Sequence, residues 1–248
     1  MNDSRIKVRI KFSKHGPVKF VGHLDFMRYF QKCIRRAKID IAYSEGFSPH
    51  QIMSFATALG VGIETDGDYL DIECNSVTSC EDMMDRLNAT MAEGVRIENV
   101  VILPEGTPNA MSSVAAAGYK LICKNGSGFG NDLTEAANRV LNSDSIIIRK
   151  ENKKAKKKGR AIEGINDYIE EDIKDRIYKA ELYADRFECL VDASSAGNVR
   201  PLNLLDLICK EAGMTLDPLN IQIIRTDLYL MKDNRLTPLD LSSDTIQI

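Results

Sequence analysis

Residues 14–62 read KHGPVKFVGHLDFMRYFQKCIRRAKIDIAYSEGFSPHQIMSFATALGVG, and this stretch organises our interpretation of the whole chain. Between His23 and Lys38 the apolar residues recur at spacings of three and four, which predicts an amphipathic helix. Its apolar face comprises Phe26, Phe30, Cys33, Ile34 and Ala37. Such a face is stable only against other apolar surface, so we expect it to be buried.

The opposite face of this helix is basic and carries Arg28, Lys32, Arg35 and Arg36. The first fifty residues hold eleven lysines and arginines against four carboxylates, a net charge of +7. Positive charge at this density attracts anions. A charge stripe is also what an ordinary solvated helix face displays, and the pattern alone leaves both interpretations open.

Two turns flank the predicted helix. Gly22 follows a predicted strand, and Asp25 falls in the first helical turn, where a carboxylate complements the helix N-terminus. After the helix, residues 43–51 read YSEGFSPHQ, a composition typical of an ordered turn. The motif residues of these two turns are Gly22, Asp25, Ser44, Gly46 and Pro49. Aromatic side chains in a loop are costly unless they pack or stack, which singles out Tyr43 and Phe47.

Five segments resemble one known family: GHLDFMR (22–28), RRAKI (35–39), YSEGFSPH (43–50), SFATALGVGIETDGDYLDIE (54–73) and a lysine-rich insert. They are similar to the bacterial radical SAM-linked protein family, a domain of unknown function. That domain is found alone or fused behind a radical SAM enzyme with a cobalamin-binding region. The resemblance implies a radical SAM protein as partner. This chain departs from the family pattern at Gly22, Glu45 and Gln51, where serine, glutamine and proline are usual.

The order of predicted elements indicates an α+β fold of two tandem ferredoxin-like (β-α-β-β-α-β) modules. The first, residues 1–104, is predicted from a strand at 5–12, a helix at 23–38, an extended segment at 51–57, a strand at 68–74, a helix at 80–93 and a strand at 95–103. Residues 105–113 are a predicted linker. The second module, residues 114–248, is predicted from strands at 114–124, 145–150, 177–192 and 220–230 and helices at 132–142 and 201–212.

The chain has 248 residues, of which 44% are hydrophobic, and this is enough to form buried hydrophobic cores. No apolar run is long enough for a membrane span, and the N-terminus lacks the pattern of a signal peptide, so we expect a cytoplasmic protein. The six cysteines are scattered without a CxxC pair. The chain is therefore not itself a radical SAM enzyme, which needs a close cysteine triad, and we expect neither a metal nor a cofactor.

The insert at residues 149–169 is the second basic segment. From Arg149 to Arg160 it holds eight lysines and arginines against Glu151. Such a run is either a solvated loop or an arm that binds a polyanion, and we favour the arm. By contrast, the glycine-rich loop at residues 126–130 lacks the spacing of a phosphate-binding loop, and we interpret it as a flexible turn between strand and helix.

These features favour a non-catalytic RNA-binding or substrate-presenting protein that works with a separate radical SAM enzyme in RNA modification or processing. The predicted nucleic-acid contacts are Lys14, His23, Arg28, Lys32, Arg35, Arg36, Tyr43, Phe47, His50, Lys153, Lys154, Lys156, Lys157, Lys158 and Arg160. One alternative is a metal-independent RNA endonuclease or transferase, whose candidate catalytic residues are His15, His23, His50 and Tyr43. The other is an adaptor that contacts the radical SAM partner. The sequence alone leaves the question of catalysis open.

Overall fold

The computed structural model describes residues 5–151, 168–240 and 246–247. Within this part the fold is mixed α+β, with a large, mostly antiparallel sheet and five α-helices. The chain divides into two compact units, Met1–Lys120 with Gln222–Ile248, and Leu121–Ile221. The first unit is therefore discontinuous in sequence, and the second is inserted within it.

The helices and strands of the first half of the chain are β1 (Ile6–Lys14), α1 (His23–Arg36), β2 (Met53–Phe55), β3 (Glu64–Cys74), α2 (Cys80–Asn88), β4 (Val95–Ile102), α3 (Ala110–Ser113) and β5 (Ala116–Cys123). Those of the second half are α4 (Asn131–Leu141), β6 (Ile147–Glu151), β7 (Tyr168–Asp172), β8 (Ile177–Leu182), β9 (Arg186–Asp192), α5 (Pro201–Glu211), β10 (Ile221–Lys232), β11 (Arg235–Pro238) and β12 (Ile246–Gln247).

The first unit is built around β1, which lies between β3 and β4 and is antiparallel to both. The short strand β2 also pairs antiparallel with β3. At the start of β3, strand β10 runs parallel to it, with Ile224 beside Glu64 and Arg225 beside Thr65. The predicted order strand, helix, two strands, helix, strand is thus confirmed for residues 5–103.

One hydrophobic core joins the sheet of the first unit to its helices. The inward face of β1 contributes Val8, Ile10 and Phe12, as the alternation in the sequence predicts. The helix α1 adds Phe26, Phe30 and Ile34 to this core. Each such side chain stabilises the fold by about 1.5–3 kcal/mol on burial. The predicted helix at 23–38 ends at Arg36, because Ala37 caps it and Lys38 takes a left-handed backbone conformation.

The second helix is shorter than predicted and ends at Asn88. The side chain of Asn88 accepts a hydrogen bond from the amide of Ile97 and donates one to its carbonyl. Thr90 donates through its hydroxyl to the carbonyl of Leu87. These bonds turn the chain towards β4, so the apolar spacing of Met91 does not continue the helix.

The predicted linker at 105–113 lies inside the first unit. It contains the short helix α3 and is tied to the sheet by three contacts: Lys7 donates to the carbonyl of Thr107, Arg9 donates to that of Pro108, and Asp71 accepts from the amide of Ala110. The observed division therefore differs from the predicted boundary, because composition indicates a linker whereas buried hydrogen bonds hold this segment in place.

The second unit departs from a complete second module. Its helices α4 and α5 match the predictions, and the predicted strand at 177–192 is a hairpin of β8 and β9. However, β6 and β7 pair with each other in a separate two-stranded sheet, and all of the last predicted strand except Asn220 and Ile221 belongs to the first unit. The loop at residues 126–130 is an ordered turn, in which Phe129 is buried and donates its amide to the carbonyl of Ala184.

No helix in the described part of the chain combines the length and the apolar character needed to cross a bilayer. The six cysteines are free thiols, of which Cys33, Cys74, Cys189 and Cys209 are buried. Burial raises the pKa of the Cys189 thiol, which keeps it protonated and unreactive. The buried cysteines therefore act as small residues of the hydrophobic interior.

Candidate functional site

The basic face of α1 is exposed, as its position opposite the core requires. Arg28 forms an ion pair with Asp25 at 3.2 Å, and Arg36 donates to the carbonyl of Thr90 at 3.2 Å. Lys32 and Arg35 are exposed and make no ion pair with any residue that the structure describes. These two side chains are therefore the ones on this face that are free to meet an anion.

The turn at residues 43–50 is closed by a set of short hydrogen bonds. The amide of Ser44 donates to the carbonyl of His50 at 2.8 Å, and the amide of His50 donates to Ser44 Oγ at 3.1 Å. Ser44 Oγ and His50 Nδ1 lie 2.8 Å apart and share a further hydrogen bond. Gly46 has φ +105°, a conformation that favours glycine. The sequence YSEGFSPH thus specifies a closed and ordered turn.

Phe47 lies at the tip of this turn and is fully exposed, with a relative accessibility of 112%. Tyr43 at the base of the turn is about half exposed and pairs with Gln51 as a β-bridge. The side chain of Gln51 is buried and donates to the carbonyl of Gln31 in α1 at 3.4 Å. The turn is therefore anchored to the middle of the same helix that carries Lys32 and Arg35.

The three histidines have separate surroundings. His15 lies 3.6 Å from Glu64 and 3.3 Å from Asp66, whereas the ring of His23 packs edge-on against Phe55 with centroids 5.3 Å apart. His50 contacts Ser44 within the turn. No described contact joins two of the candidate catalytic residues His15, His23, His50 and Tyr43. Nor do the described residues contain a group of three or more histidine, cysteine or acidic side chains that could hold a metal.

Much of the positive charge in and around the first strand is already neutralised. Arg5 pairs with Glu73 at 3.4 Å, Lys11 with Asp227 at 2.7 Å, and Lys19 with Glu64 at 3.0 Å. The excess counted along the first fifty residues is therefore smaller at the surface of the first unit than along the chain. Sequence composition misses this because the carboxylates come from other segments.

The most completely bonded cation of the strand is Arg9, which is 1% exposed. Its guanidinium donates to both carboxylate oxygens of Asp71, at 2.7 and 2.9 Å, and to the carbonyls of Leu239 and Pro108. Asp71 also accepts the amide of Ala110 at 2.7 Å. This buried pair is a structural tie, since every contact it makes joins the sheet to a neighbouring segment of the fold.

A second buried cluster lies between β1, β3 and β10. The hydroxyl of Tyr69 donates to Asp227 at 2.6 Å, and Lys11 donates to the other oxygen of the same carboxylate. Burial raises the pKa of both Tyr69 and Asp227. Gly67 packs against this cluster, and a Cβ added there would lie 2.8 Å from Lys11 Cε. The cluster has its donors and acceptors matched and is best explained as part of the fold.

Lys14 differs from the other predicted nucleic-acid contacts that the structure describes, because it is only 1% exposed. Its amine donates to the carbonyl of Val21 at 3.0 Å and lies 4.6 Å from the centre of the Phe26 ring. Burial lowers the pKa of Lys14, and the charge of Asp68 opposes that effect. A surface contact with phosphate does not fit this position. The sequence signal that could have indicated burial is the even spacing of Lys14 with Ile10 and Phe12.

Asp68 itself is engaged by another cation. Arg225 donates to Asp68 at 2.8 Å and to the hydroxyl of Thr57 at 2.6 Å, and all of the Asp68 side chain is buried. The Nε atom of Arg225 is buried and has no hydrogen-bond partner. Sequence reasoning missed Arg225, Asp68 and Thr57 as site candidates, because Arg225 lies more than 150 residues from the other two.

The lysines of the insert, Lys153, Lys154, Lys156, Lys157 and Lys158 with Arg160, lie outside the described residues. The strands on either side of them, β6 and β7, pair antiparallel, and Arg149 contacts Glu170 at 3.1 Å. The insert thus connects the two strands of a β-hairpin. Next to it, α4, α5 and β6 line a groove of about 450 Å³ in the second unit, with Val140, Ile147 and Leu207 on its walls.

Comparisons with known proteins identify the family of the chain but do not assign an activity to it. No curated protein matches the chain significantly. Among solved structures, the chain is similar to one titled "Crystal Structure of an Unknown Protein from Galdieria sulphuraria", with 9% identity, a TM-score of 0.27, and coverage of 92% of this chain and 100% of that one. A family profile matches residues 7–201, which include both motif turns and the insert. The chain therefore belongs to the family described as "Uncharacterized protein conserved in bacteria (DUF2344)".

Proposed function

We propose that the protein is a non-catalytic RNA-binding accessory that presents RNA to a separate radical SAM enzyme. The contact surface, which we call the motif face, consists of Lys32 and Arg35 of α1 together with Tyr43, Phe47 and His50 of the turn. We propose a radical SAM partner because residues 22–73 resemble the radical SAM-linked family. We propose RNA as the ligand because of the chemistry of the motif face.

The observation that carries this proposal is the full exposure of Phe47 on a closed turn. A phenyl ring left in water forgoes about 1.5–3 kcal/mol of burial free energy, so its exposure has to be explained. Because hydrogen bonds hold the turn, little conformational entropy is lost when the ring meets a ligand. Stacking on an unpaired base is worth about 1–3 kcal/mol and needs no other base-specific group.

The cations of α1 supply the second part of the proposed contact. Lys32 and Arg35 are exposed and have no described ion-pair partner, so they can replace counterions along a phosphate backbone. The bond between Gln51 and the carbonyl of Gln31 keeps the turn next to this helix. A base on Phe47 and its neighbouring phosphates near Lys32 and Arg35 would make one continuous contact. The insert would add a further basic arm.

We also infer that the first unit is a ferredoxin-like module. Its strands β4, β1, β3 and β2 are neighbours in that order, and its two longer helices follow β1 and β3. This arrangement supports a split β-α-β unit with β3 between β1 and β2. The second half of the chain supports a second module less well, because β6 and β7 pair apart from the other strands.

The test measures binding of the full chain to labelled single-stranded RNA across a range of salt concentrations. We expect Phe47→Ala to weaken binding by about 5- to 150-fold through the loss of one stacked base. Substituting Lys32 and Arg35 together by alanine should lower the slope of log affinity against log salt by about 0.7 for each lost phosphate. The matched control is Leu219→Ala, an 83% exposed apolar side chain in the second unit, which should leave binding unchanged.

Two results would overturn this function. If Phe47→Ala retains RNA affinity but loses binding to the radical SAM enzyme, the turn is a docking surface for protein and the chain is an adaptor. If the purified protein alone cleaves or modifies RNA, and His23→Asn or His50→Asn lowers turnover by about a hundredfold, the chain is an enzyme. In a binding protein the same substitutions should cost only about 0.5–3 kcal/mol of affinity.

A further inference from the structure

The strand β6 of the second unit has one uncovered edge. In the described part of the chain, β7 pairs with β6 on one side, and no strand pairs with it on the other. A strand edge without a partner presents a row of backbone N–H and C=O groups to any chain that can pair with it. Ile147, the first residue of β6, is also 43% exposed. The edge is therefore a candidate contact surface.

The hydrogen bonds to β7 identify which residues of β6 face this edge. The carbonyl of Ile146 accepts from the amide of Ile173 at 2.9 Å, and the antiparallel register of β6 and β7 continues from this pair. Hydrogen-bonded pairs alternate along an antiparallel ladder, so Ile146 and Ile148 direct their backbone groups to β7. The backbone groups of Ile147 and Arg149 therefore point to the free edge.

A groove runs along β6, and its lining residues come from α4, α5, β6 and the turn before β6 but not from β7. It therefore lies on the side of the free edge. One part, of about 450 Å³, is lined by Ile147 and Leu207 together with residues of α4. The next part, of about 380 Å³, is lined by the same two residues and by Ile148 and Arg149. The groove thus follows residues 145–149, a length of about 17 Å in an extended chain, which suits one strand.

We propose that β6 of a second copy of this chain occupies the groove and pairs antiparallel with β6, which gives a dimer with two-fold symmetry. The free backbone groups of Ile147 meet those of Arg149 in the other copy, and the reverse, so that four N–H···O bonds form. Ile148 lies on the two-fold axis beside its own counterpart. This contact is separate from the motif face and does not depend on RNA binding.

Two features favour a second copy as the occupant. An isologous dimer uses the same surface twice, and β6 offers in return what the groove presents, namely a free strand edge and apolar side chains. The charges at the groove are also paired within one copy: Arg149 contacts Glu170 at 3.1 Å, and Lys210 contacts Asp206 at 2.7 Å. A surface whose charges are paired in this way does not repel a second copy of itself.

Charge also selects the register of the proposed pair. A pairing centred on Arg149 would place the guanidinium groups of the two copies directly opposite each other, which is destabilising. A pairing centred on Ile148 places an isoleucine opposite an isoleucine and each Arg149 opposite Ile147. The side chains of Ile148 lie on the part of the groove that Leu207 lines, so apolar contacts accompany the hydrogen bonds.

The first experiment is sedimentation equilibrium of the full-length protein, without RNA and with a reducing agent, at concentrations up to about 100 μM. We expect a reversible equilibrium between monomer and dimer. Arg149→Pro removes an N–H that β7 does not use, and edge strands tolerate proline. It should raise the dissociation constant at least about tenfold, because each dimer loses two hydrogen bonds. The matched control is Arg149→Ala, which loses the contact with Glu170 but keeps the N–H and should dimerise like the parent.

The second experiment tests the register by oxidation of single-cysteine additions. In the proposed pair the two copies of residue 148 have Cα atoms about 4.5 Å apart, which a disulfide can bridge. Ile148→Cys should therefore form a covalent dimer, with the new disulfide mapped to position 148 by peptide mass spectrometry. Ile147→Cys should not, since its two copies are diagonal neighbours about 7–8 Å apart. The parent, treated in the same way, accounts for the six native cysteines.

Three results would overturn the proposal. One is a parent that stays monomeric over the whole concentration range, which would leave the groove to a strand of another protein. Another is an equal dissociation constant for Arg149→Pro and Arg149→Ala, because the free N–H would then play no part. The third is equal cross-linking of Ile148→Cys and Ile147→Cys, because the two strands would then not meet in this register.

Discussion

Two positions of β1 bury their cations in opposite ways. Arg9 and Lys14 are both 1% exposed, yet Arg9 donates to a carboxylate and two carbonyls, whereas Lys14 donates to a single carbonyl. A buried guanidinium with every direction satisfied ties segments together. A buried amine that donates to a single carbonyl does not tie segments together in this way. Arg9 thus holds the fold together, whereas Lys14 is a buried group that stability does not explain.

The largest expected effect is at Arg9. Arg9→Met should lower the free energy of unfolding by about 3–5 kcal/mol, because it leaves the Asp71 carboxylate buried without its partner. Urea denaturation followed by circular dichroism measures this loss. The double variant Arg9→Met with Asp71→Leu should recover much of it. A double variant as unstable as the single one would mean that the carbonyl contacts, and not the charge pair, hold these segments.

Lys14→Met should not lower the free energy of unfolding as Arg9→Met does. Removing an amine that is buried without a carboxylate should leave the free energy of unfolding unchanged or raise it by about 1–2 kcal/mol, since a well-packed apolar side chain replaces a poorly compensated polar one. The same urea titration measures this change. A loss as large as that of Arg9→Met would show that Lys14 is a structural tie and would remove the contrast between these two positions of β1.

The pH dependence of stability sharpens the comparison. Burial lowers the pKa of Lys14 below its ordinary value of 10.5, so between the lowered pKa and 10.5 the unfolded chain binds a proton that the folded chain does not. The free energy of unfolding of the parent should therefore rise with pH across that window, relative to Lys14→Met. Parallel curves for the parent and Lys14→Met would mean that Lys14 stays protonated in the folded protein.

The smallest effect on stability is expected at the exposed turn. Phe47→Ser should change the free energy of unfolding by less than about 0.5 kcal/mol, because the ring makes no buried contact. Thermal unfolding of the parent and the variant gives this difference. Ser44→Ala is the informative companion, since it removes the hydroxyl that closes the turn. A large loss of stability in Phe47→Ser would show that Phe47 packs against the protein.

The candidate site was predictable from the sequence where local pattern controls it. The helix at residues 23–38, its basic face and the turn at 43–50 were all located correctly to within two residues, because spacing, glycine and proline act over a few positions. The ion-pair partners of the cations in β1 were not predictable. Arg9, Lys11 and Lys14 look alike in sequence, but the carboxylates that pair with the first two lie 62 and 216 residues away.

The sequence by itself determined the order of the elements in residues 5–103, the buried face of α1 and the turn that carries Phe47. Only the tertiary structure decided which cations are surface charges and which are buried ones. The physical reason is that a count of charges along the sequence ignores where the groups lie in space. The burial and protonation of a charged group depend on the groups within a few ångströms of it. Val21, Phe26 and Asp68 make Lys14 a buried amine, and that environment exists only once the chain has folded.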